Sequence, residues 1–385
     1  MDFDAFQNSP AGHLVRTIGG DWAFVPDPLP PSFGWDADLI AALSEADRAL
    51  GELAGVGRSL PNPHPLIRPF VRREAVLSSR IEGTQASISD LYAYEAVQLG
   101  LFAPEPDVRE VHNYVRALEF SLERLSSLPL SLRLMRELHA LLMDGVRGER
   151  QTPGEFRTRQ NWIGAPGCEL GEASYVPPPV GEMREALDDL ERFVHAETSL
   201  PPSVRLGLIH YQFEAIHPFL DGNGRIGRLL MSLLLCAWDL LPQPLLYLSA
   251  YFHAHRDRYY DLLLAVSRDG VWEAWLAFFL HGVADQSRDA IARVQRIQDL
   301  RERYREQFQT ARAAARLLQV VDLLFARPVL TVGQVGESLG IAYNTAYQYV
   351  RQLEEGGLLR EITGQARNRV YQADEVLEAI EAPLG

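Results

Sequence analysis

Lysine is missing from all 385 residues, so every one of the 37 basic side chains is arginine. Without a lysine amine the chain can form no Schiff base with a carbonyl substrate and no Walker-type phosphate loop, whose glycine turn ends in Lys-Ser or Lys-Thr. Cysteine is nearly absent as well. Cys168 and Cys236 stand alone, which allows neither a disulfide framework nor a cysteine-rich zinc site. Positive charge is in deficit: the net charge of −14 disfavours a broad surface for nucleic acid or anionic membrane. Long apolar runs are lacking too, since Leu229 to Leu241 is interrupted by Asp239 and falls short of the roughly 20 residues that cross a bilayer. The opening MDFDAFQNSP has no charged-then-apolar secretory pattern. A cytoplasmic protein without membrane attachment is expected.

What is present is concentrated in His217 to Arg228, HPFLDGNGRIGR. Gly222 and Gly224 flank Asn223 and let backbone N–H groups turn inward around an anion. The apolar run from Leu229 reads as a helix, and a phosphate at its N-terminus would meet unpaired N–H donors and the positive end of the helix dipole. Arg225 and Arg228 are three apart and reach from one helical face. Asp221 suits a Mg²⁺ ion that bridges phosphate oxygens. His217 titrates near neutrality and can take a proton from a hydroxyl, while Phe219 would anchor the loop in the core.

These twelve residues resemble the motif of the Fic (filamentation induced by cAMP) family, H-x-F-x-[D/E]-G-N-G-R-x-x-R, at every specified position. Gly154 to Arg157, Gln160-Asn161-Trp162-Ile163-Gly164 and Tyr175 to Pro179 resemble that family's flap hairpin, and Pro244 to Ser249 with Arg258-Tyr259-Tyr260 its later helices. The resemblance implies transfer of a nucleoside monophosphate, usually AMP from ATP, onto a Ser, Thr or Tyr hydroxyl of a protein. It implies His217 as general base, Asp221 as the Mg²⁺ ligand, Gly222, Asn223 and Gly224 as the anion cradle, and Arg225 and Arg228 as partners of the outer phosphates. Other nucleotides remain open.

A second element, Ser78-Ser79-Arg80-Ile81-Glu82-Gly83, matches the family's inhibitory motif [S/T]-x-x-x-E-[G/N]. The resemblance implies that Glu82 pairs with Arg228 in place of the ATP γ-phosphate, because a guanidinium binds a carboxylate or a phosphate bidentately. In some relatives such a glutamate also serves removal of AMP. Gln160, Asn161, Trp162 and Ile163 form an extended edge that could pair with a strand of the target. Histidines 112, 139, 210, 253 and 255 read as packing or surface residues.

The expected fold is mainly α. Residues 1–62 precede a helical core at 63–285, with the inhibitory helix near 72–83. A helical linker follows at 286–310, and then a small C-terminal domain at 311–385 in which helix, turn, helix and hairpin resemble a winged helix. Its DNA-reading side chains would be Asn344, Thr345, Tyr347, Gln348 and Arg351, with wing arginines 360, 367 and 369. Yet this region holds seven arginines against nine acidic residues, whereas DNA readers carry a basic footprint. An ATP-sensing, DNA-binding regulator therefore stands as the alternative to an autoinhibited enzyme. A homodimer and self-modification are further expectations from the resemblance.

Overall fold

The computed structural model describes residues 1–60, 64–97, 105–149, 151–165, 167–308, 314–365 and 367–382. The chain is mainly α, with small antiparallel sheets. In order the elements are α1 (Phe3–Phe6), β1 (Gly12–Arg16), β2 (Trp22–Pro26), α2 (Ala37–Ser59), α3 (His64–Ile81), α4 (Ile88–Val97), α5 (Pro106–Arg124), α6 (Leu132–Leu142), α7 (Val180–His195), α8 (Pro202–Ile216), α9 (Asn223–Ala237), α10 (Ser249–Ala254), α11 (Arg256–Asp269), α12 (Trp272–Phe308), α13 (Ala314–Ala326), β3 (Val329–Thr331), α14 (Val332–Leu339), α15 (Tyr343–Glu355), β4 (Arg360–Glu361), β5 (Val370–Gln372) and α16 (Asp374–Glu381). Packing divides it into two units, Met1–Ala54 with Arg116–Ser287, and Gly55–Val115 with Arg288–Gly385. The expected junctions near residues 62 and 310 lie outside the described residues.

In the first unit α8 and α9 form the centre. Nearly every residue of α8 is buried, including polar His210 and Gln212. Gly207 makes this closeness possible, because a Cβ there would sit 3.0 Å from the Phe279 ring, and the Gly207 carbonyl accepts a hydrogen bond from Trp275 Nε1 at 3.0 Å. The residues before α2, for which the sequence shows no strand signal, form a β1–β2 hairpin in register from Gly12 opposite Pro26 to Arg16 opposite Trp22. Its alternation is weak because β2 is buried along nearly its whole length, so the two-residue period that betrays a half-exposed strand is missing.

His210 packs among Phe252, Tyr259, Trp275 and Phe279, with Nε2 at 2.8 Å from the Tyr259 hydroxyl. Burial, helped by the Arg228 guanidinium, lowers its pKa from 6.5 to about 3. The folded state therefore holds a neutral imidazole that the unfolded chain would protonate. The unfolded state binds more protons between pH 6.5 and 3, so His210's contribution is fully present above pH 6.5 and is lost as pH falls through that window. Taking pH from 7 to 4.5 is expected to cost roughly 2–3 kcal/mol through this residue. Denaturant melts at the two pH values should show His210→Phe losing correspondingly less stability than wild type.

In the second unit α3 packs against α13, α4 and α16. Thr331 caps α14 through a reciprocal box with Gln334, and Gly340 ends α14 in the left-handed region, as its placement after the helix predicts. β3, β5 and β4 make a three-stranded antiparallel sheet with β5 in the middle. β3 and α16 are additions to the expected helix, turn, helix and hairpin; β3 is three residues long, too short to show a strand period. Arg293 is fully buried, forks onto Asp289 at 2.8 and 3.1 Å, and donates to the carbonyls of Ile380 and Ala382. Arg73 approaches the same carboxylate at 3.5 Å.

Candidate active site

The sequence stops α8 at Ile216 because His217 precedes Pro218, and a residue before proline is pushed out of the α region. His217 takes a left-handed conformation, φ 49° and ψ 61°, with its N–H bonded to the Phe213 carbonyl. Its Nδ1 lies 3.3 Å from the Glu214 carbonyl oxygen. Phe219 is fully buried and anchors the loop as expected. Asn223 closes the turn: its Oδ1 accepts from the Phe219 N–H and its Nδ2 donates to the Phe219 carbonyl, both at 2.8 Å. Gly222, at φ 79°, caps α9 with no side-chain bond. The first N–H groups of α9, Asn223 and Gly224 among them, thus face the loop without intrahelical acceptors.

Arg225 and Arg228 are 1% exposed. Arg225 reaches Asp221 Oδ1 at 3.5 Å and Met143 Sδ at 3.7 Å. The Asp221 carboxylate is about one-third exposed and accepts from the Gly222 N–H at 2.6 Å. Its other oxygen comes so close to Gly148 that a Cβ there would be 2.6 Å away. Among the described residues no group of three or more His, Cys, Asp and Glu gathers to hold a metal. Asp221 nevertheless fits Mg²⁺, which is held in phosphate-transfer sites by one or two carboxylates together with substrate phosphates and water.

Two residues absent from the sequence-derived site brace this loop. His139 stacks on Phe219 with ring centroids 3.9 Å apart and planes 7° from parallel. Its Nδ1 accepts from the Gly154 N–H at 2.9 Å, which fixes the proton on Nε2 for donation to the Asp221 carbonyl at 3.0 Å. Burial first of all lowers its pKa to about 4, so it stays neutral and is a brace, in keeping with its expected packing role. Arg157 is fully buried and donates from Nε to the His217 carbonyl at 3.0 Å. Burial pushes its pKa down to about 10, which leaves it charged at neutral pH.

Among the described residues the expected flap hairpin shows one antiparallel pair, Ile163 opposite Tyr175. The ladder cannot continue because Pro177, Pro178 and Pro179 have no N–H to donate. Side chains substitute: Gln160 Nε2 donates to the Pro177 carbonyl at 2.8 Å, and Asn161 Nδ2 to the Phe219 carbonyl at 2.8 Å. Trp162 and Ile163 are exposed, with Trp162 Nε1 bonded to the Cys168 carbonyl at 3.0 Å. From behind, the N-terminal hairpin holds the flap. Phe24 N–H donates to the Val176 carbonyl at 2.9 Å, and Phe6, Phe24 and Tyr175 cluster.

The profile of the Fic/DOC family N-terminal region matches residues 40–123, and that of the Fic/DOC family matches residues 129–235. The chain belongs to the Fic/DOC family. The chain is similar to curated relatives called protein adenylyltransferase Fic. The relative from Drosophila virilis is 30% identical over 154 residues, 37% of this chain and 29% of that protein. The one from Drosophila erecta is 29% identical, over 37% of this chain and 28% of that protein. This Fic chain thus spans less than a third of those relatives' length. Among solved structures, a Fic family protein from Desulfovibrio desulfuricans G20 superposes with a TM-score of 0.55 at 19% identity, covering 90% of this chain and 98% of that one. Fic-1 from C. elegans superposes at 0.51 and 21% identity, covering 67% and 74%. These structures share the fold.

The segment that matches the inhibitory motif, Ser78 to Gly83, lies in the second unit. Ser78 is fully buried near the end of α3, Glu82 is half-buried at its C-cap, and Gly83 takes φ 100°. Gly83 N–H donates to the Arg80 carbonyl at 3.0 Å and Thr84 N–H to the Ser79 carbonyl at 3.2 Å. This bond pair is the one by which a left-handed glycine ends a helix, so Gly83 lets the chain leave α3 as its position predicts. In the C-terminal module Asn344, Thr345, Gln348 and Arg351 are exposed on α15. Their neighbouring cations are largely engaged: Arg351 pairs with Glu355 at 2.8 Å, Arg360 forks onto Asp374, and Arg369 donates to the Gln365 carbonyl.

Proposed function

We propose that this Fic protein transfers AMP from ATP to a Ser, Thr or Tyr hydroxyl of a protein, itself included, and that Glu82 holds the reaction in check. The observation that carries the reading is the loop between α8 and α9. There His217, the Asp221 carboxylate, the open N-terminus of α9 and two buried arginines converge within twelve residues. In the proposed step the hydroxyl oxygen attacks the α-phosphorus while His217 takes its proton. The bond from the α-phosphorus to the bridging oxygen breaks, and pyrophosphate leaves. Such transfer asks a protein chiefly for positioning and charge neutralisation. Backbone N–H groups from Gly222 to Gly224 would bind the phosphates, with Arg225 and Arg228 neutralising the outer ones. Asp221 would hold Mg²⁺, which supplies further neutralisation when bound. The exposed Gln160–Ile163 edge would dock the target strand.

In the C-terminal module we read the helix, strand, helix, helix and hairpin order as a winged helix. Its engaged arginines and acidic excess favour a protein contact, such as a second copy of the chain, over a DNA phosphate backbone. The test is incubation with Mg²⁺ and ATP labelled at either the α- or the γ-phosphate. Protein-bound label from the α position alone is expected; γ label in protein would indicate phosphorylation instead. ATP binding with no label from either position, joined to salt-sensitive DNA binding, would favour the nucleotide-sensing regulator.

A further inference from the structure

Four successive carbonyls, from Ile216 through Phe219, leave the end of α8 where no helix partner can serve them. Between them the four accept hydrogen bonds from two residues of the flap, Arg157 and Asn161. Arg157 donates from Nη2 to Ile216 at 3.4 Å, from Nε to His217 at 3.0 Å and from its own backbone N–H to Pro218 at 2.9 Å. Asn161 Nδ2 donates to Phe219 at 2.8 Å and shares the His217 carbonyl at 3.3 Å. The remaining donors of Arg157 tie the clamp to the flap itself, through the carbonyls of Arg159 and Pro178. Arg157 is fully buried and, among the described residues, pairs with no carboxylate. Its charge is met by carbonyl dipoles, two of them at the C-terminus of α8, the negative end of a helix.

We propose that Arg157, assisted by Asn161, is a positioning residue that fixes His217 in its left-handed conformation and makes the base and the target-docking flap move as one piece. The isolated left-handed state is unfavourable for histidine, so the clamp supplies the over-determination that keeps it. A planar fork of five donors on one rigid group suits this task, and a lysine ammonium does not. The proposal rests on the transfer reading for its kinetic consequence, while the clamp itself has a readout independent of activity.

The experiment compares Glu82→Gly with Glu82→Gly carrying Arg157→Gln, Arg157→Lys or Asn161→Ala. Arg157→Gln is expected to lower kcat roughly 100-fold with KM for ATP unchanged, the penalty for misplacing a base by about an ångström. Arg157→Lys should recover part of that loss, and Asn161→Ala should lose roughly tenfold, since it removes one donor of several. Amide hydrogen exchange, measured on the same proteins, should accelerate for His217 and Phe219 while α9 stays protected. Should the Glu82→Gly parent transfer no AMP, exchange alone decides: local acceleration supports the clamp. Unchanged exchange, or acceleration spread through α8 and α9 with equal loss of ATP affinity, overturns it and leaves Arg157 a packing residue.

Discussion

With Glu82 replaced by glycine, the further change His217→Asn is expected to lower AMP transfer by roughly 10²- to 10⁴-fold, the usual contribution of a positioned general base, while ATP affinity stays within about twofold. Asparagine is the informative substitute because the position is left-handed. Among non-glycine residues asparagine tolerates that region best, and it cannot accept a proton near pH 7. Alanine would add backbone strain to the chemical loss. A single-turnover measurement with α-labelled ATP gives the rate, and a thermal melt confirms that the fold is kept. Transfer surviving within a few-fold of the parent would remove His217 from the chemistry and leave the loop a nucleotide-binding element.

Glu82→Gly by itself is expected to raise transfer by roughly 10²- to 10⁴-fold. In the proposed resting state the Glu82 carboxylate occupies the ground that Arg228 offers to the γ-phosphate. Breaking a largely buried pair of this kind costs about 3–5 kcal/mol, which corresponds to that range of rates. The substitution is gentle on the fold, because Glu82 lies past the last residue of α3 and Gly83 already ends the helix. Glu82→Gln separates charge from shape: it keeps the side-chain length and should release much of the inhibition if charge pairing with Arg228 is the brake. Less than about a tenfold rise in Glu82→Gly, with ATP binding intact, would refute the brake.

The loop from His217 to Arg228 was legible in the sequence because its physics is local. Glycine at 222 permits the left-handed cap, proline at 218 stops α8, and asparagine at 223 bonds back four residues. Gly83 and Gly340, each directly after a helix, were legible for the same reason. Arg157 and His139 were not identified, since their partners lie about 60 and 82 residues away, and an arginine in Gly-Glu-Phe-Arg reads as one more solvated charge. The signal that could have found Arg157 is its place directly after an aromatic in a stretch already assigned to the flap. The β1–β2 hairpin escaped because β2 is buried without alternation, and the flap ladder was overestimated because the proline run after Tyr175 was read as part of a hairpin and not as a stop to it.

The packing of α3 on α13 and α16 ties the reach of Glu82 to a part of the chain remote in sequence. A cut between α12 and α13 would strip one wall from α3, the helix that leads into Glu82. Heat, proteolysis or a mutation that loosens the buried Arg293 and Asp289 pair should therefore be felt at residue 82 before it is felt at the α8–α9 loop. The C-terminal module is in this sense a seat for α3, packed against it through α13 and α16.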